Sequence, residues 1–283
     1  MQFGSVKLEK SEGSILAHSI KFGNLHIKKG TILEKKHILD LKNEGVQSVI
    51  VARLENGDIE ENKSATIISE TFSHNSLIFS KANTGRINIF SKYDGLLLYN
   101  ISSIINFNLI DEGIALSLLP QNTFVKNKQL IGTLKVIPYS LSKRTILKFC
   151  GFENLIIIKS FKEKKFSLIQ TSYSNMRQSF LMKTLTETKK RVENLGCSLL
   201  NNIICRHNEK ELASKIKTSI SKDIDMLLIS CASAVSDRND ILPKSIVDLG
   251  GDIIHFGLPV DPGNLLILAS LNNKFLVGMP GCA

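Results

Sequence analysis

The chain has 283 residues and a formal net charge of +10, with 43% hydrophobic and 22% charged residues. This globular balance leaves room for two domains and a buried core. No apolar run reaches bilayer-spanning length, and the amino terminus has no apolar signal-peptide core, so a soluble, cytoplasmic protein with no membrane partner is expected.

In chain order, residues 13–20 and 25–33 read as short strands joined by a Gly23-Asn24 turn. Residues 34–44 form a short helix stopped by Gly45, and 46–54 a strand. Gly57-Asp58 is a turn, and 59–70 a polar helical stretch. Thr84-Gly85-Arg86 is a tight turn with a cation. It could hold a phosphate, but a hairpin turn with an exposed arginine is the preferred reading. Residues 96–100 form a strand, 101–106 a short helix, 125–130 a polar turn and 131–138 a strand. This half is β-rich with short helices.

Near residue 150 the pattern changes to strands alternating with longer helices. Strands are expected at 166–171, 198–205, 226–229, 252–256, 265–270 and 275–277. A long amphipathic helix covers 176–195, with Gly196 beyond its end. Asn208 caps a helix over 209–220. Pro243 sits in the first turn of a helix ending before Gly250-Gly251. The alternation predicts a parallel-rich, three-layer α/β/α domain.

Five cysteines, an odd number with no CxxC pair, suggest neither a disulfide framework nor a zinc knuckle. Most read as small buried hydrophobes; Cys231 and Cys282 differ by falling in candidate ligand loops. The lysines are spread along the chain without a nucleic-acid motif, so nucleic acid is a disfavoured partner.

The chemistry gathers in three loops that follow strands. In the first, Cys231-Ala232-Ser233-Ala234 offers small residues whose backbone N–H groups can face an anion. Ser236, Asp237, Arg238 and Asp240 follow. A cation and two carboxylates so close suit a phosphate, Mg²⁺ or a polar heterocycle. The alternative is an ordinary βα turn with solvated charges. The second loop, Gly257-Leu-Pro259-Val-Asp261-Pro262-Gly263-Asn264, has a backbone fixed by prolines and presents Asp261 and Asn264. The third is Gly278-Met-Pro280-Gly281-Cys282-Ala283. Thr171-Ser172 and Arg206-His207 add to the rim. There is no G-x-S-x-G elbow, no P-loop and no G-x-G-x-x-G fingerprint. No serine partner for His207 or His255 is evident, which argues against a hydrolase triad.

These loops resemble the molybdopterin-binding domain of molybdenum-cofactor biosynthesis, shared by gephyrin and the bacterial molybdopterin adenylyl- and molybdotransferases. Cys231-Ala232-Ser233-Ala234 stands where the family has a Gly-Gly-Thr-Gly type loop. Arg238, Asp240 and Pro243 stand where it has an Arg-Asp pair and a Pro-started helix. Val260-Asp261-Pro262-Gly263-Asn264 is similar to its Lys-Pro-Gly-Lys turn, and Met279-Pro280-Gly281-Cys282-Ala283 to its Leu-Pro-Gly-Asn-Pro turn. The match is closer to a bacterial subgroup of molybdopterin-binding proteins, reading G-A-S-A-x-x-D-R-x-D, M-P-V-D-P-G-N and P-G-C-A. The first half resembles that subgroup at Ala17-His18-Ser19, Lys29-Gly30-Thr31, Val51-Ala52-Arg53-Leu54 and Thr84-Gly85-Arg86.

The resemblance implies a β-rich region over 1–150 and a molybdopterin-binding α/β domain over 151–283, truncated at its carboxyl end. It implies molybdopterin or a nucleotidylated form as ligand, with Mg²⁺. Asp240 and Asp237 would be the catalytic carboxylates, Asp240 also holding the metal. Thr171, Cys231, Ala232, Ser233, Ala234, Ser236, Arg238, Pro259, Asp261, Pro262, Gly263, Asn264, Pro280, Gly281 and Cys282 would bind the cofactor. Homo-oligomers and other cofactor-biosynthesis proteins are the expected associations. Two departures from the family bear on catalysis. Cys231 and Ala232 replace glycines, and Asp261 and Asn264 replace lysines that would favour an anionic ligand. A nucleotidyl- or molybdotransferase and a non-catalytic carrier are both open. A basic nucleotide- or nucleic-acid-binding protein is the alternative class.

Overall fold

A computed structural model of the chain describes residues 1–23 and 25–280. It forms two compact units, Met1–Ser160 and Phe161–Ala283. Among the described residues, no helix is long and apolar enough to cross a membrane.

The first unit is built from small antiparallel sheets. The strand Ser48–Arg53 lies between Gln2–Lys7 and Ile15–Leu16. Leu16, Leu33, Val49 and Val51 pack there against Leu41 of the helix Lys35–Asn43. Gln2–Lys7 is a strand that residue pattern alone did not reveal, because its exposure alternates only weakly and its partner lies far along the chain. A larger core surrounds a four-stranded sheet of Ile114–Leu118, Leu130–Val136, Arg86–Ser91 and Leu77–Phe79. Phe72, Phe107 and Phe149, all fully buried, meet edge to face at its centre. The expected polar turn over 125–130 is shorter in the structure, because Phe124–Val125 pairs with Gly95–Leu98.

The second unit is the three-layer α/β/α arrangement that the alternation predicts. Its elements are β1 (Lys165–Ser172), α1 (Gln178–Glu193), β2 (Ser198–Arg206), α2 (Glu209–Ile220), β3 (Met226–Ser230), α3 (Ile241–Asp248), β4 (Asp252–Phe256), β5 (Ile267–Leu271) and β6 (Lys274–Met279). They form one six-stranded sheet in the order β2-β1-β3-β6-β5-β4. The strands β2, β1, β3 and β6 are parallel neighbours. β5 is antiparallel to both its neighbours.

Alternation along each strand sorts side chains to two faces. Leu168 and Leu228 meet Val192 of α1 on one face. Ile169, Leu227 and Ile229 meet Leu212 and Ile216 of α2 and Leu242 and Ile246 of α3 on the other. From β1 the chain turns to β2 through α1. From β2 it crosses back through α2 to β3, on the opposite side of β1. The crevice between β1 and β3 is therefore a topological switch point, open at the carboxyl ends of the strands.

The candidate functional site

Each chemical group at the crevice is delivered by the end of a parallel strand. Thr171 is the penultimate residue of β1, His207 follows β2, and Cys231 to Ser233 follow β3. A cavity of about 290 Å³ lies there, lined by Gln170, Thr171, Cys231, Ala232, Ser233 and Ala234, with Met176, Phe180 and Lys183 on the α1 side.

Thr171 is 1% exposed. Its Oγ1 accepts the Ala232 N–H at 2.8 Å and lies 2.8 Å from His207 Nδ1. On the far side of the ring, His207 Nε2 lies 2.9 Å from Ser233 Oγ. Thus three strand ends are tied by one hydrogen-bonded chain. The expectation that His207 lacks a serine partner is overturned. The two residues are 26 positions apart and meet across the end of β1, which separates β2 from β3 and places Thr171 beside the ring.

The chain of bonds accommodates two tautomers. With the proton on Nδ1, His207 donates to Thr171 and accepts from the Ser233 hydroxyl. With it on Nε2, His207 accepts from Thr171 and donates to Ser233. Burial lowers the His207 pKa below its ordinary value, opposed by the Asp240 charge, so the ring is neutral near pH 7 and able to take a proton from Ser233. Tyr173 packs edge-on against the ring, with centroids 5.0 Å apart.

Gln170 is 1% exposed. Its Nε2 donates to Leu181 O at 3.1 Å and to Asn202 Oδ1 at 2.9 Å. Both partners are acceptors, which fixes the amide orientation. Its Oε1 is buried with no hydrogen-bond partner. Gln170 is among the residues that line the cavity, and its carbonyl oxygen is an acceptor left without a partner beside it. Sequence reading overlooked Gln170, although an amide in the middle of the run Phe166-Ser-Leu-Ile-Gln-Thr171 was the available signal.

Burial pushes the Cys231 thiol up to about 12 and the Cys205 thiol up to about 11. Neither is a thiolate nucleophile at neutral pH. Asp240 caps α3. Its Oδ1 accepts from Ile241 N at 2.7 Å and its Oδ2 from Ser236 N at 3.2 Å. Asp237 accepts from Asn239 N at 2.8 Å. Both carboxylates thereby shape their own loop. Arg238 sits over the Phe256 ring at 5.4 Å, tying this loop to the end of β4.

The second predicted loop follows β4 and closes on itself through Leu258 N to Asn264 O at 2.9 Å. Pro259, Asp261 and Asn264 are exposed. Pro262, Gly263 and Pro280 line an apolar groove beside α1, with Leu228, Val277 and Met279. Among the described residues, no hydrogen bond or ion pair links Pro259, Asp261 or Asn264 to the Thr171–His207–Ser233 chain. Gly281 and Cys282 lie outside the described residues. No group of three or more His, Cys, Asp or Glu that could hold a metal ion occurs among the described residues.

A family model described as "Domain of unknown function (DUF8806)" matches residues 5–53. No curated protein matches the chain. Among solved structures, the chain is similar to a molybdenum cofactor biosynthesis protein B, with 14% identity, 44% of this chain and 83% of that chain covered, and a TM-score of 0.36. It is also similar to a molybdopterin biosynthesis moea protein from Pyrococcus horikosii, with 11% identity, 99% and 70% covered, and a TM-score of 0.33. A structure of that protein from Pyrococcus horikoshii OT3 matches with 9% identity, 98% and 69% covered, and a TM-score of 0.27.

Proposed function

We propose that this protein binds molybdopterin in the crevice between β1 and β3 and acts in molybdenum-cofactor biosynthesis in the cytoplasm. The observation that carries this reading is the cavity at the switch point, lined by Gln170, whose Oε1 is buried without a hydrogen-bond partner. A pterin is a flat ring system edged with N–H donors, and a buried carbonyl oxygen matches such an edge. Met176 and Phe180 supply apolar wall for the ring. Lys183 supplies a cation for its phosphate, in the absence of lysine at positions 261 and 264. The loop resemblance at residues 231–243, 260–264 and 279–283 supports the same ligand.

In this reading Thr171, Cys231, Ala232, Ser233, Ala234 and Ser236 line the phosphate side. Asp261 and Asn264, with Gly281 and Cys282, belong to the pterin side, and Arg238, Pro259, Pro262, Gly263 and Pro280 hold those loops. Asp240 and Asp237 are the carboxylates available to a Mg²⁺ carried in by the ligand's phosphates. One or two carboxylates suffice for such an ion, because phosphate oxygens and water complete its shell. If the protein turns its ligand over, the reaction is nucleotidyl transfer or metal insertion. There Ser233 and His207 hold and move a proton, and the remaining contribution is positioning.

A carrier role without turnover has its own support. The oxygens of Asp240 are already engaged by backbone N–H groups of its loop.

The test is purification from a molybdopterin-producing host, followed by oxidation of the bound pterin to a fluorescent product. A stoichiometric pterin, reduced at least tenfold in Gln170→Ala at unchanged folding, is the expected result. A folded protein that takes up no pterin, even when it is added back, ends this assignment.

A further inference from the structure

A second polar cavity, of about 550 Å³, lies wholly within the first unit. Its walls come from four separate segments. Lys29 and Gly30 follow the strand Leu25–Ile27, and Glu61 opens the helix Glu61–Thr71. Thr84 and Arg86 belong to the hairpin turn, and Thr133, Lys135 and Tyr139 come from the strand Leu130–Val136 and the residues after it. Three cations face one carboxyl group, leaving an excess of positive charge.

The turn is bonded to the helix and the strand on either side of it. Asn83 and Arg86 exchange two backbone hydrogen bonds of 3.0 Å. The Gly85 N–H donates to Asn62 Oδ1 at 2.8 Å, and its carbonyl accepts from Val136 N at 2.8 Å. Thr84, without being glycine, adopts φ +49. Left-handed non-glycine backbone is kept where the surroundings over-determine it, and it clusters at ligand sites.

The cations are also placed. Arg86 Nε donates to Asn88 Oδ1 at 3.0 Å, which fixes the guanidinium and leaves its two terminal nitrogens as donors. Lys135 Nζ lies 3.9 Å from Glu61 Oε2 and donates to the Thr84 carbonyl. The backbone N–H of Lys29 is anchored to Ser19 Oγ at 2.9 Å. Tyr139 donates its hydroxyl proton to Ala17 O at 2.9 Å, so its oxygen is left as an acceptor. Glu61, whose side chain is 14% exposed, has its pKa raised by burial despite the lysines.

We infer that this cavity binds a phosphate group, with Arg86 and Lys29 as the contacting cations and Lys135 as the brace between Glu61 and the turn. A guanidinium with two parallel donors matches a phosphate edge, and a net excess of two cations matches a phosphate dianion. The cavity is larger than a phosphate ion needs. The rest of the ligand, a small hydroxylated body, then meets the Thr133 and Tyr139 hydroxyls and the Glu61 carboxyl. This inference is independent of the pterin reading of the second unit.

The experiment is isothermal titration of the full chain with two probes, inorganic phosphate and glycerol 3-phosphate, at low chloride. Arg86→Gln and Lys29→Gln serve as the variants. Both residues are exposed, so both variants fold, which circular dichroism melting checks. The expected result is binding that weakens at least tenfold in Arg86→Gln and at least threefold in Lys29→Gln. Tighter binding of glycerol 3-phosphate assigns the site to an organic phosphate, and equal or tighter binding of inorganic phosphate assigns it to the free ion. Absence of binding by both probes, or affinities unchanged in both variants, overturns the inference.

Discussion

Thr171 Oγ1 and His207 Nδ1 lie 2.8 Å apart across neighbouring parallel strands, and the same oxygen accepts the Ala232 N–H. One hydroxyl therefore fixes a histidine and the loop after β3 together. Replacing Thr171 with valine keeps the shape but removes both bonds, leaving the partly buried Ala232 N–H without its acceptor. The expected loss is about 1–3 kcal/mol of unfolding free energy. Urea unfolding of Thr171→Val measures it, and Thr171→Ser, which keeps the oxygen, should recover most of the loss.

The His207 ring links stability to pH. Its folded pKa lies below the ordinary 6.5 because burial disfavours the charged ring. The unfolded state therefore takes up the proton first as pH falls, and the folded state loses stability through the range below about 6.5. Unfolding free energy should rise with pH across that range and level off above it. His207→Gln should flatten this part of the profile; a slope identical to wild type would show that other groups carry it.

Cysteine reactivity should divide by burial. Cys150 is exposed, whereas Cys197 and Cys205 are buried, and the Cys231 thiol is pushed up to about 12. Under native conditions at pH 8, iodoacetamide should modify Cys150 well before Cys205 or Cys231. All should react alike in denaturant. Peptide mass spectrometry resolves the sites. Rapid native labelling of Cys231 would contradict the enclosure of its loop.

At the hairpin of the first unit, Gly85 adopts φ +68, and a Cβ there would stand 2.4 Å from the Val136 carbonyl oxygen. Side-chain strain and backbone strain coincide. Gly85→Ala should cost about 1–3 kcal/mol, read as a shift in denaturation midpoint at unchanged slope. Val136 sits in the core, so the backbone has little room to yield.

Much of the second unit was legible because its signals are local. Asn208 Oδ1 accepts the Glu211 N–H at 2.9 Å, and the helix begins at Glu209 as the cap implies. Gly196 takes the left-handed φ of +70 after α1, and Pro243 falls in the first turn of α3. The strand–helix alternation was visible for the same reason. Its breakdown after β4 had a readable mark as well, in Asn272-Asn273, which take φ +51 and +61 and fold β5 against β6 as a hairpin.

In the second unit the sequence by itself determined the elements, their caps, the apolar faces and the small-residue loop after β3. Each rests on interactions within a few residues. Only the tertiary structure decided that Ser233 meets His207, that the Gln170 carbonyl oxygen is buried without a partner, and that Lys29, Glu61, Arg86 and Lys135 enclose one space. Those pairings depend on strand order and register, which are set by the packing of whole faces, and no short stretch of residues encodes them.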